Sequence, residues 1–242
     1  TGVIREISRQ DSQKGNDIYI TIDLRIQKYA LNLLKEHKAG SAVLMDIHNG
    51  NILCMASTPS YNPNKIIKKP NKEYWDSILE NELSPLTYRC IQGLYAPGST
   101  FKMVVAIAGI VHGAIDTNTK HFCSGKIGLG DRLYHCWKNN GHGLMNVSDA
   151  IKESCDVFFY EISKKIGIDK IAKVAEDFGL GKIYDVPLPN QKKGIIPSRD
   201  WKKKKYDESW YPGETLISAI GQGFVLTNPL QLSLIHISEP TR

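Results

Sequence analysis

Between residues 41 and 57 the chain reads SAVLMDIHNGNILCMAS, two apolar runs of strand length on either side of the pair Asn49-Gly50. Runs this short, bounded by a turn dipeptide, satisfy their backbone groups by pairing with each other, and Asn-Gly suits a two-residue type I′ turn. The chain therefore holds an antiparallel hairpin, with Cys54 on its second strand as a core residue. Helical patterns surround it. Asp23 can cap LRIQKYALNLLKEH, where Ile26, Ala30, Leu33 and Leu34 form an apolar stripe. Further helices are predicted over 99–111 (STFKMVVAIAGIV), 148–153, 157–166 and 169–178, the last closed by Gly179, with shorter ones near Tyr74 to Leu79 and in GETLISAIGQG. The first twenty residues read as extended, through VIREI and the alternating DIYITI. Residues 114–145 read as Gly-rich and irregular, and 181–212 as loop with room for short strands. A hairpin and many helices on one core make an α+β class.

The 242 residues, 41% apolar and 23% charged, suffice for one large domain with a real core. No apolar run reaches the length of a membrane-spanning helix. The opening TGVIREISRQ has neither a starting Met nor an apolar targeting region, so the chain reads as an excised piece and its start says nothing about compartment. The net charge of +6 comes from 31 Lys plus Arg against 25 Asp plus Glu, with lysines gathered at 65–72 and 202–205. These lysines read as solvated loops, with an anionic surface or polymer nearby as the alternative, and with no aromatic residues patterned among them no nucleic-acid partner is expected. Five cysteines are an odd number, which argues against a plain disulfide framework.

Two segments carry chemistry. In YAPGSTFK, Ser99 opens a helix and Lys102 lies one turn further on the same face. A serine hydroxyl needs an adjacent base to become a nucleophile, and a lysine among Phe101, Met103 and Val104 can be that base if its proton is displaced. The helix start also leaves the Ser99 N–H free to face a developing oxyanion. The alternative for the same residues is an N-cap serine and a solvated lysine, and spacing alone does not choose. In ESCDVFFYE, Ser154, Cys155 and Asp156 stand together, and spacing alone reads Ser154 and Asp156 as helix caps.

Taken together, Y-x-P-G-S-T-F-K, S-C-D some fifty residues on, and GQGFVLTNPLQL near the end resemble the transpeptidase domain of class B penicillin-binding proteins, most closely the penicillin-binding protein 2 group of Gram-negative bacteria. TIDLRIQKYA, ILCMASTPSYNPN and GIDKIAKVAEDFG add to the likeness, which covers residues 1–232. The resemblance implies an α+β fold of the transpeptidase and serine β-lactamase kind, an antiparallel sheet flanked by helices, incomplete at its C-terminus. It implies that Ser99 is acylated by the D-Ala-D-Ala end of a peptidoglycan stem peptide or by a β-lactam, that Lys102 accepts the proton, and that Ser154 shuttles a proton to the leaving amine. Asp156 takes the place usually held by Asn, as is common in the penicillin-binding protein 2 group. Ionised, it accepts hydrogen bonds but lacks the donors of an amide.

The third family motif, K-[ST]-G, is absent from the sequence, and SLIHISEPTR after Leu232 reads as a non-native tail. The resemblance therefore divides the chain into residues 1–20 as the end of a non-catalytic pedestal, 21–232 as the N-terminal part of the transpeptidase domain, and 233–242 as that tail. The expected parent is anchored in the inner membrane with its catalytic domain in the periplasm, working in an elongation complex with a membrane glycosyltransferase and scaffold proteins. The chain by itself is expected to be inactive and marginally folded. A serine β-lactamase or β-lactam sensor, and a non-catalytic folding or interaction fragment, are the competing readings.

Cys123, Cys136, His142 and Cys155 follow a C-x12-C-x5-H-x12-C spacing. Three thiolates and an imidazole suit tetrahedral zinc. A Cys136–Cys155 or Cys123–Cys136 disulfide and three separate buried thiols are the other readings of the same residues. The resemblance implies a structural zinc at these four places, with His135 as an alternate nitrogen ligand, and implies no organic cofactor.

Overall fold

The computed structural model describes residues 13–67 and 71–235. The VIREI stretch and residues 236–242 of the SLIHISEPTR segment lie outside the described residues. Helix α1 spans Leu24–Leu34, and the Asp23 carboxylate accepts hydrogen bonds from the Arg25 and Ile26 N–H groups as its N-cap. The half-buried arc of α1 runs through Ile26, Gln27, Ala30, Leu31 and Leu34. Leu33, expected in that stripe, is 48% exposed, because it falls at the edge of the arc, about 20° outside Ile26 on a 100°-per-residue helix. The alternating DIYITI segment forms no strand. Only its Thr21 hydroxyl and the following Asp23 N–H reach the hairpin, at the Ile52 and Leu53 carbonyls, and Ile18, Tyr19 and Ile20 are exposed.

Strands β1 (Gly40–Met45) and β2 (Ile52–Thr58) pair antiparallel, from Gly40 opposite Thr58 to Leu44 opposite Cys54, with a register shift between Leu44 and Met45. Their connection is not the expected type I′ turn, which needs positive φ at both Asn49 and Gly50; only Gly50 has it, at 74°. The loop closes instead between the Asp46 N–H and the Asn51 carbonyl. The Asp46 carboxylate takes the His48 N–H and the Asn49 amide, and Asn49 Oδ1 takes the Asn51 N–H. Side chains that bond nearby backbone offer the turn a longer path, and that path wins here. Gln27 of α1 docks on β2 through both Met55 backbone groups, at 2.7 and 2.9 Å. Cys54 is buried as expected.

Beyond β2 come three short helices, α2 (Pro63–Ile67), α3 (Lys72–Leu79) and α4 (Arg89–Gln92). A 3-10 turn at Gly98–Phe101 runs directly into α5 (Lys102–Val111). Residues 114–145, expected to be irregular, instead hold two small antiparallel pairs. β3 (His121–Cys123) pairs with β6 (Gly143–Met145), and β4 (Lys126–Leu129) with β5 (Arg132–His135). Strands of three or four residues are too short to print a readable period. Then follow α6 (Val147–Lys152), α7 (Asp156–Ile166) and α8 (Ile168–Asp177). Helix α9 (Arg199–Tyr206) stands where a lysine-rich loop was expected, and α10 (Pro212–Ala219) and α11 (Pro229–Leu234) close the described chain.

The main core joins the 3-10 turn, α5, α7, α8 and α10 through Phe101, Val105, Phe158, Phe159, Ile171 and Leu216, all at most 1% exposed. Each such side chain contributes roughly 1.5–3 kcal/mol by leaving water. A smaller cluster of Met55, Cys90, Ile91 and Leu230 fixes the hairpin to α4 and α11. The result is α+β, an antiparallel hairpin flanked by helices beside a helical body. Among the described residues no helix is long and apolar enough to cross a membrane.

Candidate active site

Ser99 lies on the 3-10 turn and Lys102 is the first residue of α5, so the helix start presents both to the N-terminus of α7. Lys102 is only 2% exposed, below the face of Phe159 at 5.7 Å. Its Nζ donates to Asp156 Oδ1 at 2.6 Å, to the Ser154 carbonyl at 2.9 Å and to Ser154 Oγ at 3.0 Å. Ser154 Oγ in turn donates to Ser99 Oγ at 2.9 Å. Spacing suggested a direct contact between Lys102 and Ser99, but the described hydrogen bonds connect them through Ser154. Hydroxyls donate and accept at once, so this line of three groups can pass a proton from Ser99 toward the amine. The Ser99 N–H has no backbone acceptor among the described residues, as an oxyanion donor requires.

Ser154 has φ 51°, a left-handed conformation that costs a non-glycine residue about 1–2 kcal/mol. The neighbouring bonds hold it there: Ser154 N–H to Ile151 O at 3.2 Å and Cys155 N–H to Ala150 O at 2.9 Å. This twist lets the hydroxyl and the carbonyl of one residue both meet Lys102.

The GQG segment supplies a support that the sequence did not signal. The Gly98 N–H donates to the Gly221 carbonyl at 2.9 Å. Gly221 has φ 69°, and a Cβ there would stand 2.2 Å from the Gly98 oxygen. Only glycine lets these two segments touch directly beside Ser99. Tyr95 and Thr227 pair next to this contact through both of their backbone groups.

Beside the serines, the ligand atoms of Cys123, Cys136, His142 and Cys155 all lie within 4.8 Å of one another. His142 Nδ1 faces the Cys123 and Cys136 sulfurs, each at 3.6 Å. All five cysteines are free, so neither disulfide is formed, and the thiols are gathered rather than separate. His135 is exposed and outside the group. The cluster is drawn tight by a crossing of two loops, where a Cβ on Gly141 (φ 75°) would stand 2.1 Å from the Cys123 oxygen. Burial pushes the Cys155 thiol well above its ordinary range and pulls His142 below its own. Three buried sulfurs and the nitrogen of a half-buried imidazole, mutually close, form a donor set able to hold a soft or borderline metal ion.

The lysines at 202–205 do not all face solvent. Lys202 is 2% exposed, paired with Glu214 at 2.5 Å and Glu208 at 3.4 Å, over the ring of Tyr211. It ties α9 to α10, the helix that leads to Gly221.

Residues 40–236 match the family described as "Penicillin binding protein transpeptidase domain". Peptidoglycan D,D-transpeptidase MrdA of Escherichia coli K12 is 36% identical over 233 residues, which are 96% of this chain and 37% of the relative. The Acinetobacter baumannii protein of the same name is 36% identical over 236 residues, 97% of this chain and 35% of the relative. Penicillin-binding protein 2 of Pseudomonas aeruginosa, solved with WCK 5153, superposes with a TM-score of 0.86 at 34% identity, over 90% of this chain and 50% of that one. The Helicobacter pylori complex of penicillin-binding protein 2 and MreC gives 0.84 at 36% identity, over 87% and 40%. The chain thus spans little more than a third of the length of these curated relatives.

Proposed function

The chain belongs to the penicillin-binding protein transpeptidase family, among relatives of the penicillin-binding protein 2 type, and from that premise we propose that it carries the acylation machinery of a peptidoglycan D,D-transpeptidase. The observation that carries this reading is the unbroken line of hydrogen bonds from Lys102 through Ser154 to Ser99. Ser99 Oγ attacks the carbonyl carbon of the penultimate D-Ala of a stem peptide. Its proton passes through the Ser154 hydroxyl to Lys102 in its amine form, and Ser154 then delivers a proton to the nitrogen of the departing D-Ala. The peptide C–N bond breaks as the Ser99 ester forms, and the amine of a second stem peptide displaces Ser99 to complete the cross-link. A β-lactam follows the same first step, its ring amide opening onto Ser99. Asp156 holds Nζ beneath Ser154 throughout.

Cys123, Cys136, His142 and Cys155 would hold a structural zinc ion, which when bound supplies a fixed tie between the 121–145 strands and the residue next to Ser154. The full-length protein is proposed to sit in the inner membrane with this domain in the periplasm, residues 1–20 ending a pedestal and 21–232 opening the transpeptidase domain. Its partners would be stem peptides and an elongation assembly of a membrane glycosyltransferase and scaffold proteins. The test is labelling by a fluorescent penicillin in a chain extended through a K-[ST]-G motif. One label per chain, on Ser99 and lost in Ser99→Ala, is expected. Labelling that survives this change or moves to Cys155 sinks the assignment.

A further inference from the structure

Trp137 follows the cluster residue Cys136 and leans across the turn that carries Ser154 and Asp156. Its backbone N–H donates to Asp156 Oδ2 at 3.0 Å. Its indole Nε1–H is shared between the Glu153 carbonyl at 3.0 Å and the Ser154 carbonyl at 3.1 Å. Two of the three acceptors that grip Lys102 Nζ, the Ser154 carbonyl and the Asp156 carboxylate, are therefore also held by Trp137. Ser154 stands in the left-handed region at φ 51°, so its carbonyl direction is set by what holds it rather than by local preference. The indole ring meanwhile stays 62% exposed, with His142 edge-on at 5.3 Å. A large aromatic left in water for burial alone would be poorly placed; one used for its N–H is not.

We propose that Trp137 is a positioning residue for acylation: its indole N–H clamps the Glu153–Ser154 peptide region so that the Ser154 carbonyl and hydroxyl present Lys102 to Ser99. The inference rests on the acylation reading above and assigns Trp137 no contact with the reacting atoms. Because the same residue follows Cys136, the clamp also joins the thiol and imidazole cluster to the catalytic turn through one covalent step.

The test replaces Trp137 in the full-length protein by Phe and by the benzothiophene isostere of tryptophan, which keeps the ring shape and loses only the N–H. Acylation by a penicillin is resolved into a binding constant and a first-order acylation rate, and hydrogen exchange is followed over residues 153–157. Both variants are expected to lower the acylation rate about tenfold, the scale of one lost hydrogen bond, with the binding constant unchanged. Both should speed exchange at 153–157 while the rest of the chain keeps its protection. An acylation rate unchanged in both variants overturns the proposal, and so does a loss confined to the binding constant, which would make the exposed ring a substrate platform. The isostere behaving as wild type while Phe fails also overturns it, since shape and not the N–H would then matter. Failure of the acylation reading itself looks different: the unsubstituted protein would take no label at Ser99, whereas the exchange measurement would still report the clamp.

Discussion

Replacing Gly221 by Ala should loosen the support of Ser99 far more than its size suggests, and Gly113→Ala is its internal control. Both glycines have positive φ, 69° and 64°, but a Cβ at Gly113 meets nothing within 4 Å while one at Gly221 meets Gly98 oxygen at 2.2 Å and nitrogen at 2.7 Å. The control therefore carries only the left-handed penalty, about 1–2 kcal/mol. Gly221→Ala carries the same penalty plus displacement of the Gly98 backbone by most of an ångström. That displacement costs about 1–3 kcal/mol as overpacking and about 1 kcal/mol for the weakened Gly98 to Gly221 hydrogen bond. The two variants should differ by about 2–4 kcal/mol in paired urea melts with unchanged m-values, or by roughly 5–15 °C in Tm for a chain of this size. Ser99 adjoins Gly98, so its acylation in a chain extended through a K-[ST]-G motif should fall by up to about 10²-fold in Gly221→Ala alone. Equal midpoints for the two variants would refute the reasoning, because they would mean that the contact relaxes without strain.

Lys202→Met should lower Tm by stranding Glu214 beside a buried apolar side chain, and adding Glu214→Gln should restore part of the loss, as a thermal-melt cycle would read. Purified protein should carry one zinc per chain by elemental analysis, lost in Cys155→Ala and kept in His135→Ala. Zinc retention should fall as pH drops, because the thiolates take up protons. Hydrogen bonding from the Arg25 side chain and N–H holds the Asp23 carboxyl at about 2, below its ordinary 3.8. An acid with a depressed folded value stabilises above the unfolded value and loses that effect as pH falls through the folded one. The cap on α1 should therefore weaken between about pH 4 and pH 2, with the Asp23 carboxyl resonance titrating near the lower figure and Asp23→Asn removing the effect.

Much of this was legible from local signals. The Asp23 cap, the helical periods and the hairpin each follow from residues close in the chain. The quartet around Cys155 was readable because three thiols and a histidine are few enough that spacing and family likeness pick them out. What escaped depends on partners distant in sequence. The run KKKK reads as solvent-facing until Glu214, twelve residues beyond Lys202, supplies a charge inside. Trp137 gives no signal at all in sequence, since its use lies in carbonyls sixteen and seventeen residues away. DIYITI has the alternation of a strand but no strand beside it among the described residues, and alternation cannot create a neighbour. The Asn49-Gly50 turn failed for a local reason, competition from the Asp46 side chain.

Gln27 gives the hairpin a direction. Its amide meets the Met55 N–H and carbonyl as the peptide group of a neighbouring strand would, and the Asp23 N–H and Thr21 hydroxyl donate to the Leu53 and Ile52 carbonyls. Side chain and loop thus stand in for a third strand along the Ile52 to Met55 part of the free margin of β2 and occupy its backbone groups at Met55 and its carbonyls at Ile52 and Leu53. A strand that joins, whether from this protein or from another chain, would have to displace Gln27 and the Thr21–Asp23 segment at β2, so growth of the sheet is favoured at β1.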